Sequence, residues 1–323
     1  MSKKIVLPAS MEGKTVLVAG AAGFVPSTLC EHYLNLGAKV IGLDNFITGS
    51  QSNVDLLSKN KNFSFHKVNV YESLPDFKGQ KIDYVFSMAS PASPIDFAII
   101  PIEIMRVNSE GTLKLLELAR EKNARFLEAS TSEVYGDPEI HPQTEDYVGH
   151  VNPIGPRSCY DESKRFAEAM TMSFHHKYNV DTRIVRIFNT YGPRMRPNDG
   201  RVIPNFITQA MKGDDLTVYG DGSQTRSFCY STDLVQAIHN VLMSDDVTPF
   251  NCGNPDEYTM LETANLIIKI LGSKSKIIHL PLPKDDPKRR RPDIGKLQSV
   301  SNYKPSVLFE DGIRATAEYF KTL

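Results

Sequence analysis

Thr15-Val16-Leu17-Val18-Ala19-Gly20-Ala21-Ala22-Gly23-Phe24-Val25-Pro26 decides the fold. A short β-branched and apolar run ends on a glycine, which marks a buried strand. Helical spacing over 24–36 then closes at Gly37, and Lys39-Val40-Ile41-Gly42-Leu43 returns to strand, ending at Asp44. The glycines between strand and helix permit a tight turn and close backbone approach. A helix N-terminus there offers N–H groups and a positive dipole end to a diphosphate. Asp44 stands where a carboxylate accepts hydrogen bonds from ribose hydroxyls and repels a 2′-phosphate, so the pattern favours NAD over NADP. The spacing Gly20-x-x-Gly23-x-x-Pro26 is one glycine short of the full pattern. Taken alone, the glycines also suit a plain strand–turn–helix packed without a ligand.

The alternation continues outward. Tyr84-Val85-Phe86 and Arg125-Phe126-Leu127-Glu128-Ala129 read as strands on either side of a long helix over 101–121. A helix over 160–178 leads to a strand over 182–188. Strands separated by helices imply crossover units: an α/β, doubly wound parallel (Rossmann-type) sheet with helices on both faces. After about residue 190 Gly and Pro become frequent and short helices (205–212, 232–243, 260–271) alternate with short strands. The expected organisation is a cofactor domain over 1–190 and a smaller α/β substrate domain over 191–323, with some segments exchanged between them.

Composition removes several classes. The 323 residues carry 37 Lys+Arg against 38 Asp+Glu, so no global basic field points to nucleic acid. Four scattered cysteines, Cys30, Cys159, Cys229 and Cys252, lack C-x-x-C spacing, which suggests free thiols in a reducing compartment and gives no metal framework. No apolar run is long enough to span a bilayer and the N-terminus has no apolar leader core, so a cytoplasmic protein without a membrane anchor is expected. The one charge run, Lys288-Arg289-Arg290-Arg291, reads on composition as a solvated basic loop.

Two further stretches carry chemistry. Tyr160 and Lys164 lie one helical turn apart on one face. A free tyrosine is a poor base at neutral pH, and a neighbouring ammonium favours its phenolate. Ser130-Thr131-Ser132-Glu133-Val134-Tyr135-Gly136 follows a strand directly, at the end that faces the ligand crevice of a doubly wound sheet. Thr131 can hydrogen-bond a hydroxyl, and Glu133 can orient a water or move a proton. On polarity alone these residues equally suit a capped loop.

Together with Ala89-Ser90-Pro91-Ala92-Ser93-Pro94, 149–160, 186–194, Asp199-Gly200-Arg201-Val202, Thr217-Val218-Tyr219-Gly220 and Arg290-Arg291-Pro292-Asp293-Ile294, these pieces resemble the extended short-chain dehydrogenase/reductase family. Within it they are similar to the branch that decarboxylates UDP-glucuronate to UDP-xylose through a UDP-4-keto intermediate, with NAD+ regenerated in each turnover. Related 4,6-dehydratases carry an Asp where this chain has Ser132, which is no acid at neutral pH, and 4-epimerases usually lack the Glu at 133.

The resemblance implies catalytic roles for Thr131, Ser132, Glu133, Tyr160, Lys164 and Arg290. It places the cofactor against Gly20, Gly23, Phe24, Val25, Asp44, Asn45, Thr48, Gly49, Asn69, Val70, Ala89, Ser90 and Asn108, besides Tyr160 and Lys164. It places the substrate against Pro91, Asn189, Arg194, Arg201, Val202, Tyr219, Gln224, Arg226 and Arg290. It makes the basic run a ligand-side loop, since an arginine fork matches a carboxylate or phosphate, and it implies a homodimer. The chain departs from the family at Ala19, Pro26, Asn69, Ser87, Phe97 and Val107, mostly on the cofactor side. Another epimerase or dehydratase activity, and a non-catalytic UDP-sugar-binding protein with a decayed cofactor site, are the alternatives.

Overall fold

A computed structural model describes residues 4–5, 7–281 and 289–323. The chain opens β1(Thr15–Ala19), α1(Phe24–Asn35), β2(Lys39–Asp44), α2(Gln51–Leu57), β3(Phe63–Lys67) and β4(Tyr84–Ser87). It continues through α3(Pro94–Ile99), α4(Pro101–Arg106), a π turn at Val107–Gly111, α5(Thr112–Lys122), β5(Arg125–Thr131), a 3₁₀ turn at Ser132–Tyr135, α6(Ser158–Tyr178) and β6(Thr182–Ile187). The second half comprises β7(Thr190–Tyr191), α7(Val202–Lys212), β8(Leu216–Tyr219), β9(Thr225–Ser227), β10(Cys229–Tyr230), α8(Ser231–Met243) and β11(Phe250–Cys252). It ends with β12(Glu257–Thr259), α9(Met260–Leu271), β13(Ile277–Leu280), β14(Arg289–Arg290), α10(Gly295–Val300) and α11(Phe309–Phe320).

The central sheet has seven strands in the order β11-β6-β5-β4-β1-β2-β3, all parallel. This is the doubly wound sheet the alternation predicts. Strand order reverses between β1 and β4, and the crevice at that switch point opens beyond their carboxyl ends. Val16, Leu17, Val18 and Ala19 are fully buried, because helices cover both faces. On one face α1 and α8 pack through Leu29, Tyr33, Leu234 and Ile238; on the other, Leu115, Leu116, Ala119 and Phe174 of α5 and α6 close the layer. A third apolar core gathers α7, α9 and α11 around Phe206, Ile207, Ile267 and Ile313.

Three details were not specified by the sequence. The helix over 101–121 contains the π turn, which turns Asn108 inward to donate from Nδ2 to Ser163 Oγ of α6 at 2.9 Å. The seventh sheet strand, β11, comes from beyond residue 190 and pairs with β6, so the central sheet draws on both halves of the chain. Strand β3 is an edge strand in which half-buried Phe63 and Phe65 alternate with exposed Ser64 and His66.

Candidate active site

A cleft of about 720 Å³ runs from the β1–α1 turn, across the ends of β4 and β5, to α7 and β14. The β1–α1 turn forms its first wall. Gly20 has φ +86°, and a Cβ there would stand 2.8 Å from Met88 O, so only glycine lets the turn lie against the end of β4. Gly23 caps α1, whose first turn has no acidic residue and leaves its positive end open to the cleft. Pro26 is the third residue of α1 and buried; its missing N–H falls where no helical partner exists, so the helix forms undisturbed. Asp44 ends β2, with Oδ2 accepting from Ala22 N at 3.0 Å and Oδ1 from Phe46 N at 2.7 Å. Burial pushes its carboxyl up, and those backbone N–H groups oppose the shift.

The residues fit a dinucleotide on three counts. The turn is too tight for a Cβ. Asp44 is fixed at the end of the second strand. Arg194, paired with Glu31 of α1 at 2.7 Å, keeps a buried Nη1 with no hydrogen-bond partner, a spare donor for an anion beside the cleft.

The middle of the cleft holds the titratable groups. Tyr160 lies in the first turn of α6, 6% exposed, its ring stacked on Phe97 with centroids 5.0 Å apart. Burial pushes its phenol well above the ordinary value; the Thr131 hydroxyl and the Arg201 guanidinium act the other way, and Glu133 adds to the rise. Lys164 Nζ turns toward the sheet. It donates to Glu128 Oε1 at 3.2 Å and to Ala129 O at 2.7 Å.

Thr131 ends β5 and caps the 3₁₀ turn, accepting from Glu133 N at 3.2 Å, which fixes Ser132 and Glu133 over the cleft. The Glu133 carboxylate lies between two guanidinium groups. Arg290 donates from Nη1 to Oε1 and from Nη2 to Oε2, the latter at 2.9 Å, while Arg157 Nη2 donates to Oε2 at 2.5 Å. Although burial opposes ionisation, the two cations hold this carboxyl at about 2. Asp161 shows the opposite shift: burial and the Glu133 charge raise it to about 7.

At the far end, Arg201 forms two hydrogen bonds to Asp199, and Arg226 is buried, donating to Thr225 O at 2.9 Å. Tyr219 stands exposed at the mouth, its carbonyl accepting from Gln224 Nε2 at 2.6 Å. Pro91, Asn189, Val202, Asn45, Thr48, Asn69, Val70, Ala89 and Ser90 also line the cleft. Gly49 and Asn108 lie behind its wall. Gly49 packs on Ala22 and Asp44, and Asn108 on Ser163. Of the basic run, Arg290 reaches the cleft on β14, while Lys288 lies outside the described residues.

Sequence reading assigned no role to Arg157 or Glu128. Arg157 sits three residues before Tyr160, one helical turn away, and that spacing is the signal that points it to the same site. Glu128 is a lone acid in an apolar strand.

Comparisons with known proteins give the family of the chain. The family model described as "NAD dependent epimerase/dehydratase family" matches residues 16–253. The chain is 48% identical to UDP-glucuronic acid decarboxylase 1 of Danio rerio over 307 residues, 95% of this chain and 72% of that protein. It is 45% identical to UDP-glucuronic acid decarboxylase 2 of Arabidopsis thaliana over 318 residues, 98% of this chain and 71% of that protein. Among solved structures, the UDP-glucuronic acid 4-epimerase of Bacillus cereus in complex with UDP-glucuronic acid and NAD superposes with a TM-score of 0.86 at 28% identity, covering 95% of this chain and 99% of that one.

Proposed function

The chain belongs to the NAD dependent epimerase/dehydratase family, and from that premise we propose that it is an NAD-dependent UDP-glucuronate decarboxylase, releasing CO₂ and UDP-xylose by way of a UDP-4-keto intermediate. The observation that carries this reading is the Arg290–Glu133–Arg157 cluster beside Tyr160, together with relatives of the same name at 42–48% identity. An epimerase or dehydratase has no need to discharge a carboxylate. Guanidinium forks suit a substrate carboxylate, which a UDP-glucuronic acid epimerase binds as well, so the relatives at 42–48% identity favour decarboxylation over epimerisation.

Gly20, Gly23, Asp44 and the first turn of α1 would hold NAD+, which supplies hydride acceptance and return at sugar carbon 4. The chain's own groups do the rest. Tyr160 takes the proton of the 4-hydroxyl and later returns it, aided by Thr131 and by the positive charge of Arg201. With carbon 4 as a ketone, the bond from carbon 5 to the carboxylate breaks, CO₂ leaves, and the electron pair is held as an enolate on the 4-oxygen. Arg290 orients the departing carboxylate. Glu133, held ionised, positions a water that protonates carbon 5, and the hydroxide left behind takes up the solvent proton that the overall reaction consumes. Asn189, Arg201, Tyr219 and Arg226 line the opposite end, where two guanidinium groups and an aromatic ring suit a diphosphate and a uracil base.

We also read the protein as a cytoplasmic homodimer. Four free, buried cysteines support the reducing compartment, and no described helix is long and apolar enough to cross a membrane. Ile102, Met105 and Leu113 on the α4–α5 side and Phe166 on α6 are exposed large apolar side chains that a second copy would cover. The activity is tested by release of labelled CO₂ from carboxyl-labelled UDP-glucuronate, which must require Tyr160.

A further inference from the structure

The partner of the Lys164 ammonium is a carboxylate outside the cleft. Glu128 belongs to β5, where its neighbours Phe126, Leu127 and Ala129 are all buried apolar residues. It is 0% exposed, and Lys164 is 3% exposed. Nζ reaches Glu128 Oε1 at 3.2 Å and the adjacent carbonyl of Ala129 at 2.7 Å. An ammonium has three N–H bonds, so these two contacts leave one for the cleft, which Lys164 lines and Glu128 does not. Glu128 Oε2 is buried on the far side of the carboxylate, with the Ser87 hydroxyl beside that group. A buried carboxylate is costly to keep without a partner, and Lys164 is its charged one.

We propose that Glu128 is a positioning residue of the site: it pins the Lys164 ammonium against the sheet and tempers the positive charge that Tyr160 feels. The proposal rests on Tyr160 being the base. Glu128 is the anion that the Lys164 ammonium contacts directly. The same anion offsets that charge at Tyr160, one helical turn away. Burial pushes the Glu128 carboxyl up and the ammonium draws it back, as in a mutually dependent pair.

Other charges face these groups. Tyr160 is faced by Glu133 from the turn after β5, Arg201 from the segment before α7 and Asp161 from α6, with the Thr131 hydroxyl from β5, and Lys164 follows it by one turn along α6. Glu128 faces Lys164 and Glu168 of α6, and Glu168 is itself bound by Arg186 of β6 at 2.8 and 2.9 Å. All remain in a Glu128 variant, so a difference reads Glu128 alone.

The test titrates Tyr160 in the cofactor-free protein by ultraviolet difference absorbance against Tyr160→Phe, in the Glu128→Gln and unchanged backgrounds. The pH profile of kcat is measured beside it. In Glu128→Gln the phenolate emerges about one pH unit lower, and the acid limb of kcat moves down with it, while KM stays within about twofold. Glu128→Leu shifts both the same way. A midpoint that stays or rises while Tm falls gives Glu128 a structural role and overturns the proposal, as does failure of both variants to fold. Phenolate at Tyr160 at neutral pH in the unchanged, cofactor-free protein overturns it too. The titration needs no substrate, so it stands apart from the decarboxylase reading. Absence of UDP-glucuronate turnover contradicts that reading and leaves the titration result intact.

Discussion

Arg290 and Glu133, separated by 157 residues, meet through two parallel guanidinium–carboxylate hydrogen bonds at the centre of the cleft. A planar fork makes this contact and a lysine cannot. Arg290→Lys therefore keeps the charge and loses the geometry. CO₂ release should fall on the order of a hundredfold, with UDP affinity unchanged by calorimetry. Wild-type kcat in Arg290→Lys would show that the fork is not used.

The Glu133–Asp161 pair predicts a stability profile. Glu133 lies at about 2 when folded, below its ordinary 4.5, so its contribution is present above 4.5 and lost as pH falls toward 2. Asp161 lies at about 7, above its ordinary 3.8. The folded state holds that proton more tightly, and stability is lost as pH rises from about 4 through 7. Tm should drop between about pH 4.5 and 7, and Asp161→Asn should flatten that slope. An equal slope in the variant assigns the drop to other groups.

Tyr160→Phe retains the ring stacked on Phe97 and removes the proton carrier. Turnover should fall on the order of a thousandfold, with denaturant stability within about 1 kcal/mol of the parent. Residual activity above a tenth of the parent contradicts the assignment.

Pro26 is buried in the first turn of α1 and lines the cleft, with its ring against Gly23. Replacing it with glycine frees the backbone and opens the wall. Pro26→Gly should tighten NAD+ binding measured by calorimetry, and an unchanged Kd means the ring does not limit the cofactor.

The apolar α4–α5 and α6 face bears on assembly. Phe166 is 51% exposed, and the proposed homodimer predicts a dimeric parent and a monomeric Phe166→Glu variant by light scattering. A wild-type monomer rules out that interface.

The nucleotide end was legible because its signals are local: a β-branched run, a glycine turn, a capped helix and Asp44 all lie within one crossover unit. The Tyr160–Lys164 pair was legible for the same reason, as two positions one turn apart. The partner of Lys164 was not, because Glu128 reaches it from a different element, β5, and only packing α6 on the sheet shows the contact. Arg290 was placed through family resemblance, since no periodicity joins residues 157 apart. Strand β11 was missed because three residues among Gly and Pro carry no pattern, and its place beside β6 is set by the third dimension.

The most direct measurement follows the sugar. Purified protein, UDP-glucuronate and NAD+ are incubated and the product is identified by NMR, with CO₂ counted in parallel. The account predicts UDP-xylose and one CO₂ for each sugar consumed. Recovery of the 4-epimer with its carboxylate intact and no CO₂ contradicts it.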